Sequence, residues 1–535
     1  MRRHASKRLG ALLIAPLCLS GVCHAATPAP KVRVADGQLL GVRQGGVEAF
    51  LGVPYAAPPI GVNRWRAPQP LQPWRGELRA QRFAPSCLQR LAPHGFGPWS
   101  PEYGVHGPVS ENCLYLNIWA PVHPRHPLPV MVWIPGGAFI SGSGSVPIYD
   151  GRHLAAHGIV VVTLNYRLGV FGFFTDPALV AEARRLHEPP GNWGLQDMIA
   201  ALRWVRRNIA AFGGNPRAVT LAGQSAGGIA VQELITSPLA AGLFARAIAE
   251  SGLPNSRLPN SPRHMPTLAA AERAGARFAR AKGARTLAAL RALPPEALAT
   301  SVAPMSSPLV MPSVDGVLLP EAPERLLAAG RFAHAPVLLG MNADENTGFR
   351  ANPARLSRAA WRDQLHRIFG PLAWRFEPLF RARGLRARAR ALRAVRRDLG
   401  LAALYQWSRL RLAHSHAPLY AYLWTHVEPG PQSKRWRVFH SSEIPYVFET
   451  LAAAPQRHFT PLDRAIAVRM SRYWVDFVQS GDPNGPGLPR WPRLTRRALC
   501  IMRLGARAAP QPILPPRTLR AMQAFIAAGG EPQLY

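Results

Sequence analysis

Lysine is almost absent from this chain of 535 residues, and acidic residues are scarce as well. The 64 lysines and arginines outnumber the 29 aspartates and glutamates, which gives a formal net charge of +35, yet lysine occurs only at positions 7, 31, 282 and 434. Phosphate binding alone would not exclude lysine. Arginine is instead spread through every region with alanine and proline. We therefore attribute the charge to biased residue usage and expect no specific nucleic-acid partner.

Long apolar runs are absent after the amino terminus. The chain begins MRRHASKR, followed by LGALLIAPLCLSGVC and HAA, which is the charged, apolar and small-residue order of a secretory signal peptide. That apolar segment is short for a bilayer span. We predict a signal peptide over residues 1–26, a mature chain beginning near Ala26 or Thr27, and a secreted or periplasmic location without a membrane span.

Cysteine is also sparse, with five in the whole chain. Cys18 and Cys23 lie in the predicted signal peptide, which leaves an odd number in the mature protein. Cys87 and Cys113 could close a loop in an oxidising compartment, contributing roughly 3 to 4 kcal/mol to stability. Cys500, inside the apolar ALCIM, is predicted to be a buried free thiol.

What the sequence does contain is an alternation of apolar runs with helical stretches. The predicted strands are VMVWI (130–134), IVVVTLNY (159–166), AVTLAG (218–223), PVLLG (336–340) and LYAYLW (419–424), and residues 195–212 form an amphipathic pattern typical of a helix. This pattern predicts an α/β fold with a mostly parallel central sheet flanked by helices. Residues 27–535 are predicted to form one catalytic domain, with a helical excursion at about 350–415 whose arginine-rich run 381–397 forms a solvated face.

The stretch GQSAG places Ser225 in a G-x-S-x-G pattern between an apolar run and a run of small residues. In this pattern a serine lies on a tight turn from strand to helix, and Gly223 and Gly227 leave room for the turn. A plain loop would fit the five letters alone. The flanking strand and helix favour a nucleophile.

A serine nucleophile needs a base, an acid to orient the base, and donors for an oxyanion. The turn WIPGGAF offers the amides of Gly137 and Ala138, with Ala226 as a third donor. The acid is Asp344 or Glu345, just after a predicted strand. Spacing alone does not choose the base among the histidines that follow, at positions 414, 416, 426, 440 and 458.

Ordered blocks along the chain resemble the type B carboxylesterases and cholinesterases of the α/β-hydrolase fold. The blocks include FLGVPYAAPPIGVNRWRAP (50–68), SENCLYLNIWAP (110–121), WIPGGAFISGS (133–143), NYRLGVFGF (165–173), GNWGLQD (191–197), GQSAGG (223–228) and AIAESG (247–252). The resemblance implies helical insertions over the active site. It also implies Ser225 as nucleophile, Glu345 as triad acid, His440 as base, and Gly137, Ala138 and Ala226 as oxyanion donors.

The resemblance implies supporting residues too. They are Ser251 and Glu443 behind His440, a disulfide between Cys87 and Cys113, the buried ion pairs Arg64 with Glu111 and Arg167 with Asp197, and Trp99 in the substrate-binding site. For Trp99 we favour packing of its own loop over this substrate-binding role. Three positions depart from the family pattern: Pro135 replaces histidine or tyrosine, Gln224 replaces glutamate, and Asn112 replaces aspartate.

These features predict a serine hydrolase that cleaves small-molecule carboxylic esters through an acyl-enzyme, without a metal or an organic cofactor. A general carboxylesterase is expected rather than a cholinesterase, since the positive chain would repel a cationic substrate. A non-catalytic, cholinesterase-like binding protein is the alternative, because this family includes proteins that keep the fold and lose the machinery.

Overall fold

A large mixed sheet forms the centre of the protein. The computed structural model describes residues 29–253, 265–299, 307–350 and 353–534, so the predicted signal peptide lies outside the described residues. The strands are β1 (Lys31–Val34), β2 (Gly37–Leu40), β3 (Val42–Gln44), β4 (Val47–Pro54), β5 (Glu77–Arg79), β6 (Ser86–Cys87), β7 (Val109–Ser110), β8 (Tyr115–Pro121), β9 (Leu128–Ile134), β10 (Val160–Leu164), β11 (Gly214–Gln224), β12 (Arg246–Glu250), β13 (Val337–Asn342), β14 (Leu419–Trp424), β15 (Cys500–Leu504) and β16 (Ala509–Pro512).

The central sheet has 11 strands in the order β16-β15-β14-β13-β12-β11-β9-β10-β8-β4-β3. The strands from β10 through β9 and β11 to β15 run parallel, whereas β8, β4, β3 and β16 pair antiparallel at the two sides. The five predicted strands are confirmed as β9, β10, β11, β13 and β14. A mostly parallel sheet needs cover on both faces.

Helices supply that cover. They are α1 (Arg152–Ala156), α2 (Gly169–Phe173), α3 (Pro177–Arg185), α4 (Trp193–Asn208), α5 (Ala226–Thr236), α6 (Leu268–Ala281), α7 (Leu287–Arg291), α8 (Pro295–Ala299), α9 (Pro323–Ala328), α10 (Arg358–Phe369), α11 (Ala373–Phe376), α12 (Leu385–His414), α13 (Ser433–Trp436), α14 (Ile444–Val447), α15 (Pro461–Ser480) and α16 (Pro516–Ala527). None of the described helices is long and apolar enough to cross a bilayer.

Alternate residues of the central strands pack into two separate cores. On β9, Val132 joins the core that contains α4, α5 and α12, while its neighbour Trp133 joins the core that contains α14 and α15. The period of two along a strand sends successive side chains to opposite faces. Because these strands run parallel, their carboxyl ends lie at one edge of the sheet, where ligands bind in open α/β sheets.

The region around 350–415 contains α10, α11 and α12, beside the sheet. On α12, Ala389, Leu392 and Val395 are buried. The arginines at 381, 383, 386 and 390 are exposed, as expected of a solvated face, but Arg396 is partly buried. Burial, together with the charge of Arg350, lowers the pKa of Arg396 to about 10. The arginine run is therefore only partly a solvated surface.

Cys500 is not buried, so that prediction is wrong. Its thiol is free and partly exposed. The residue begins β15, which lies beside the edge strand β16, and Cys500 pairs with Pro512 there. The apolar neighbours of Cys500 in the sequence suggested burial, but few side chains cover the first residue of a strand near the sheet edge.

Both predicted buried ion pairs form. The Arg64 guanidinium donates to both carboxylate oxygens of Glu111, at 2.7 and 2.5 Å. Arg167 donates from Nε and Nη2 to Asp197, at 2.8 and 2.7 Å, and its backbone N–H adds a third bond at 3.0 Å. Burial raises the pKa of the fully buried Asp197, against the opposing charge of Arg167.

Replacing Asp197 with alanine should lower the free energy of unfolding by about 3 to 5 kcal/mol, because Arg167 would stay buried without its counter-charge. The measurement is urea unfolding of both proteins at neutral pH. Asp363→Ala is a matched control, since Asp363 also pairs with an arginine, Arg367, but both side chains are about 70% exposed. The control should cost about 1 kcal/mol or less. Equal losses in the two variants would contradict the assignment of a buried ion pair.

Candidate active site

Ser225 lies on a sharp turn between β11 and α5. Its backbone adopts φ 57° and ψ −125°, a strained conformation for a residue with a side chain. The turn is held by a hydrogen bond from Ser225 N to Glu250 O at 2.9 Å. Cβ atoms would not fit at the flanking glycines: one on Gly227 would overlap Ile134 O, and one on Gly223 would lie 2.6 Å from Gly227 C. The turn requires both glycines, as predicted.

A second turn, after β9, faces Ser225. Gly137 and Ala138 have φ values of 121° and 56°, which rotate consecutive peptide units. Both residues border the same cavity as Ser225. Ala226 begins α5 directly after the serine and is buried. Gly137 and Ala138 thus border the cavity, and Ala226 lies directly after Ser225 on the other turn.

His440 lies in the segment between α13 and α14 and also borders this cavity. Its Nδ1 is 2.5 Å from Glu345 Oε2, and both side chains are buried. Glu345 begins a short 3-10 helix three residues after β13 ends. Asp344, the alternative acid, instead faces Arg437 at 3.3 Å. Ser225 and His440 therefore border one cavity, and Glu345 contacts the imidazole.

Buried polar groups hold Glu345 from behind. Ser251 Oγ donates to Glu345 Oε1 at 2.5 Å, and Asn342 N donates to the same oxygen at 2.7 Å. Asn342 Nδ2 also donates to Glu443 Oε2 at 2.5 Å, while Glu443 Oε1 lies 3.5 Å from Ser251 Oγ. These contacts fix the carboxylate that contacts His440.

Glu443 is fully buried close to two other carboxyl groups. Burial first, and then the charges of Glu250 and Glu345, raise the pKa of Glu443 well above its usual value. Burial also raises the pKa of Glu250 to about 8, although Trp474 Nε1 donates to it at 2.7 Å. Glu250, Glu345 and Glu443 thus form one buried cluster of carboxyl groups behind His440.

The cavity has a volume of about 900 Å³ and mostly apolar walls. Its lining includes Val170 and Phe171 of α2 and Leu298 of α8, so helices outside the sheet border the site. The helices between 358 and 414 do not line it. Among the described residues that do, Arg90 is the one side chain of the arginine, lysine, aspartate or glutamate types.

Trp99 lines the cavity from the loop closed by the disulfide. Cys87 and Cys113 are joined, with Cα atoms 4.9 Å apart, as predicted. The Trp99 indole does more than pack the loop, because its Nε1 donates to His440 O at 3.1 Å. Sequence patterns gave no indication of this contact or of the hydrogen bond from Asn342 Nδ2 to Glu443, because each joins segments far apart in the chain.

The three departures have distinct local partners. Pro135 O accepts a hydrogen bond from Tyr166 at 3.1 Å, and Asn112 Oδ1 accepts one from Tyr115 at 3.1 Å. Gln224 is buried, with Nε2 3.3 Å from His440 Nε2. Gln224 is thus a neutral group beside His440, at one of the three positions where the sequence departs from the pattern of the family that it resembles.

Comparison with known proteins identifies the family. A model of the Carboxylesterase family matches residues 28–369 and 382–518. The chain belongs to this family. It is 38% identical over 495 residues to a fumonisin B1 esterase of Sphingopyxis macrogoltabida, an alignment that covers 88% of this chain and 86% of that protein.

Other members of the carboxylesterase family are similar over comparable lengths. The chain is 34% identical over 474 residues to a human cocaine esterase, covering 84% of this chain and 82% of that protein. The solved structure of a PNB esterase superposes with a TM-score of 0.73 at 31% identity, covering 92% of this chain and 99% of that one. These matches confirm the α/β-hydrolase fold and identify the protein as a carboxylic ester hydrolase.

Proposed function

We propose that this carboxylesterase-family member cleaves its esters through an acyl-enzyme, with Ser225 as nucleophile, His440 as base and Glu345 as the acid that orients the base. The observation that carries the proposal is the convergence of Ser225, His440, Gly137 and Ala138 on one cavity, with Glu345 2.5 Å behind the imidazole. A triad is recognised by such geometry and roles.

In the first half of the reaction, His440 Nε2 takes the proton of Ser225 Oγ while Oγ attacks the ester carbonyl carbon. The backbone N–H groups of Gly137, Ala138 and Ala226 stabilise the oxyanion of the tetrahedral intermediate. Its collapse breaks the ester bond, and the imidazolium returns the proton to the leaving alcohol. Glu345 balances the charge of the imidazolium throughout.

In the second half, water replaces the alcohol. His440 takes a proton from the water as it attacks the acyl carbon, and the second tetrahedral intermediate releases the carboxylic acid and regenerates Ser225 Oγ–H. The Ser251 and Asn342 hydrogen bonds to Glu345 support this cycle, because an oriented carboxylate keeps the imidazole in one tautomer.

A panel of chromogenic esters with graded acyl length, with and without an organophosphate, tests the proposal. We expect hydrolysis of several uncharged esters that the organophosphate abolishes irreversibly, because it phosphorylates the serine. The alternative, a non-catalytic binding protein, would hydrolyse none of them. Hydrolysis that resists the organophosphate would contradict a serine nucleophile.

Within this reaction we propose a general carboxylesterase rather than a cholinesterase. A choline ester should be hydrolysed with a kcat/KM no higher than that of its isosteric 3,3-dimethylbutyl ester, because the described cavity lining holds Arg90 and no carboxylate. The Trp99 face alone would offer a cation only about 0.5 to 2 kcal/mol. Arg90→Gln is the matched variant and should raise the relative rate of the choline ester. A tenfold preference of the wild type for choline would contradict this proposal.

We also propose that residues 1–26 direct export and that residues 27–535 form a single catalytic domain. The match to the family begins at residue 28, and the Cys87–Cys113 disulfide suits an oxidising compartment. The central sheet takes strands from residue 42 to residue 512, which supports one domain. Amino-terminal sequencing of protein recovered outside the cytoplasm should begin near Ala26 or Thr27. Recovery of the intact amino terminus would contradict cleavage.

A further inference from the structure

The indole of Trp99 contacts the main chain of His440. Its Nε1 donates to His440 O at 3.1 Å and lies 3.4 Å from Ser441 Oγ. Phe349 packs against both rings, with its centroid 5.2 Å from Trp99 and 5.0 Å from His440, and the Trp99 and His440 centroids are 6.4 Å apart. Ser441 follows the histidine with φ 80°. This conformation costs a residue with a side chain free energy, and it persists only where the surroundings enforce it. The Trp99 hydrogen bond is therefore made where the backbone beside His440 is strained.

Trp99 is itself held firmly. Residues 96 and 99 exchange backbone hydrogen bonds of 2.8 and 3.0 Å, which close a tight turn inside the Cys87–Cys113 loop. The buried guanidinium of Arg457 then fixes both sides of the tryptophan, because it donates to Pro98 O at 3.3 Å, to Ser100 Oγ and to Glu102 at 2.6 Å. The indole N–H thus comes from a rigid support on a different part of the chain.

We infer that Trp99 is a positioning residue for His440, and that the disulfide loop serves to present its indole N–H to the main chain of the base. The inference rests on the proposed function, since it has a kinetic consequence only if His440 is the base. Glu345 fixes the imidazole through Nδ1, whereas the Trp99 bond fixes the backbone that carries it. A base must stay within hydrogen-bond reach of the proton that it removes, and small displacements slow such reactions strongly.

The test removes the N–H and keeps the ring. Incorporation of 3-benzothienylalanine at position 99 replaces the indole N–H by sulfur, and Trp99→Phe is a second variant that uses natural residues. For a small uncharged ester we expect kcat to fall about tenfold, with KM changed less than twofold. The rate of inactivation by a small organophosphate should fall by a similar factor, because that reaction also needs the base.

Trp74→Phe is the matched control. Trp74 Nε1 also donates to a backbone carbonyl, Gln38 O, at 3.0 Å, but Trp74 does not line the cavity. Its kcat should remain that of the wild type. An unchanged kcat in the benzothienyl variant would overturn the inference, as would a raised KM with unchanged kcat, which would make Trp99 a substrate-binding residue only. If Ser225→Ala hydrolyses esters as fast as the wild type, the proposed function itself fails. That outcome is separate from the outcomes for Trp99.

Discussion

Replacing Ser225 with alanine should leave a folded protein whose ester hydrolysis is slower by roughly four to six orders of magnitude. The hydroxyl is the group that we propose forms the acyl-enzyme, and alanine cannot form it. Alanine should be tolerated structurally because the turn depends mainly on Gly223 and Gly227 and on the bond from the residue 225 N–H to Glu250 O. The measurement is kcat/KM for an uncharged chromogenic ester, with a thermal melt to verify folding.

Ser145→Ala serves as the matched control for Ser225. Ser145 is also a serine near the sheet edge, where its Oγ contacts Ser143 Oγ at 2.8 Å, but it does not line the cavity. This control should retain hydrolysis within about tenfold of the wild type. Turnover near the wild-type value in Ser225→Ala would eliminate the proposed mechanism.

Replacing His440 with alanine should reduce hydrolysis by a similar factor, because nucleophile and base act as one unit and their losses are not additive. The double variant with Ser225→Ala should accordingly be no slower than either single variant by more than about tenfold. The pH profile gives an independent measurement. Only a neutral imidazole accepts the serine proton, so the wild type should lose its acylation activity in acid.

His426 provides the control for His440. Both histidines contact a carboxylate, since His426 Nε2 lies 2.7 Å from Asp463 Oδ1, but His426 does not border the cavity. His426→Gln should therefore keep most of the activity, whereas His440→Ala should not. If His426→Gln lost activity and His440→Ala kept it, the assignment of His440 as the base would be wrong.

Five of the seven parallel strands of the central sheet could be predicted from sequence, because a strand that is buried on both faces has a continuous apolar run. LYAYLW became β14 over the same residues, and VMVWI lies within β9. The antiparallel strands were missed, because β4 and β8 carry glycine, asparagine and proline among their apolar residues. Gly52 in β4 has φ 71°, and the pairing of β4 with β8 shifts register nearby. Such an irregular strand lacks a clear period.

The candidate site divides in a similar way. Ser225 and the glycines beside it could be predicted because a strained turn restricts which residues fit. The choice of Glu345 and His440 needed the resemblance, since several acids and histidines follow in suitable order. The hydrogen bonds of Asn342 and of Trp99 join positions up to 341 residues apart, and no local pattern encodes a contact of that kind.

Covalent labelling tests the central proposal most directly. After reaction with an organophosphate, intact mass spectrometry of the wild type should show one adduct per chain, and peptide mapping should place it on Ser225. Ser225→Ala should remain unlabelled, and the extent of labelling should match the loss of ester hydrolysis. An adduct on another residue, or complete labelling of Ser225 with hydrolysis intact, would contradict the assignment of Ser225 as the nucleophile.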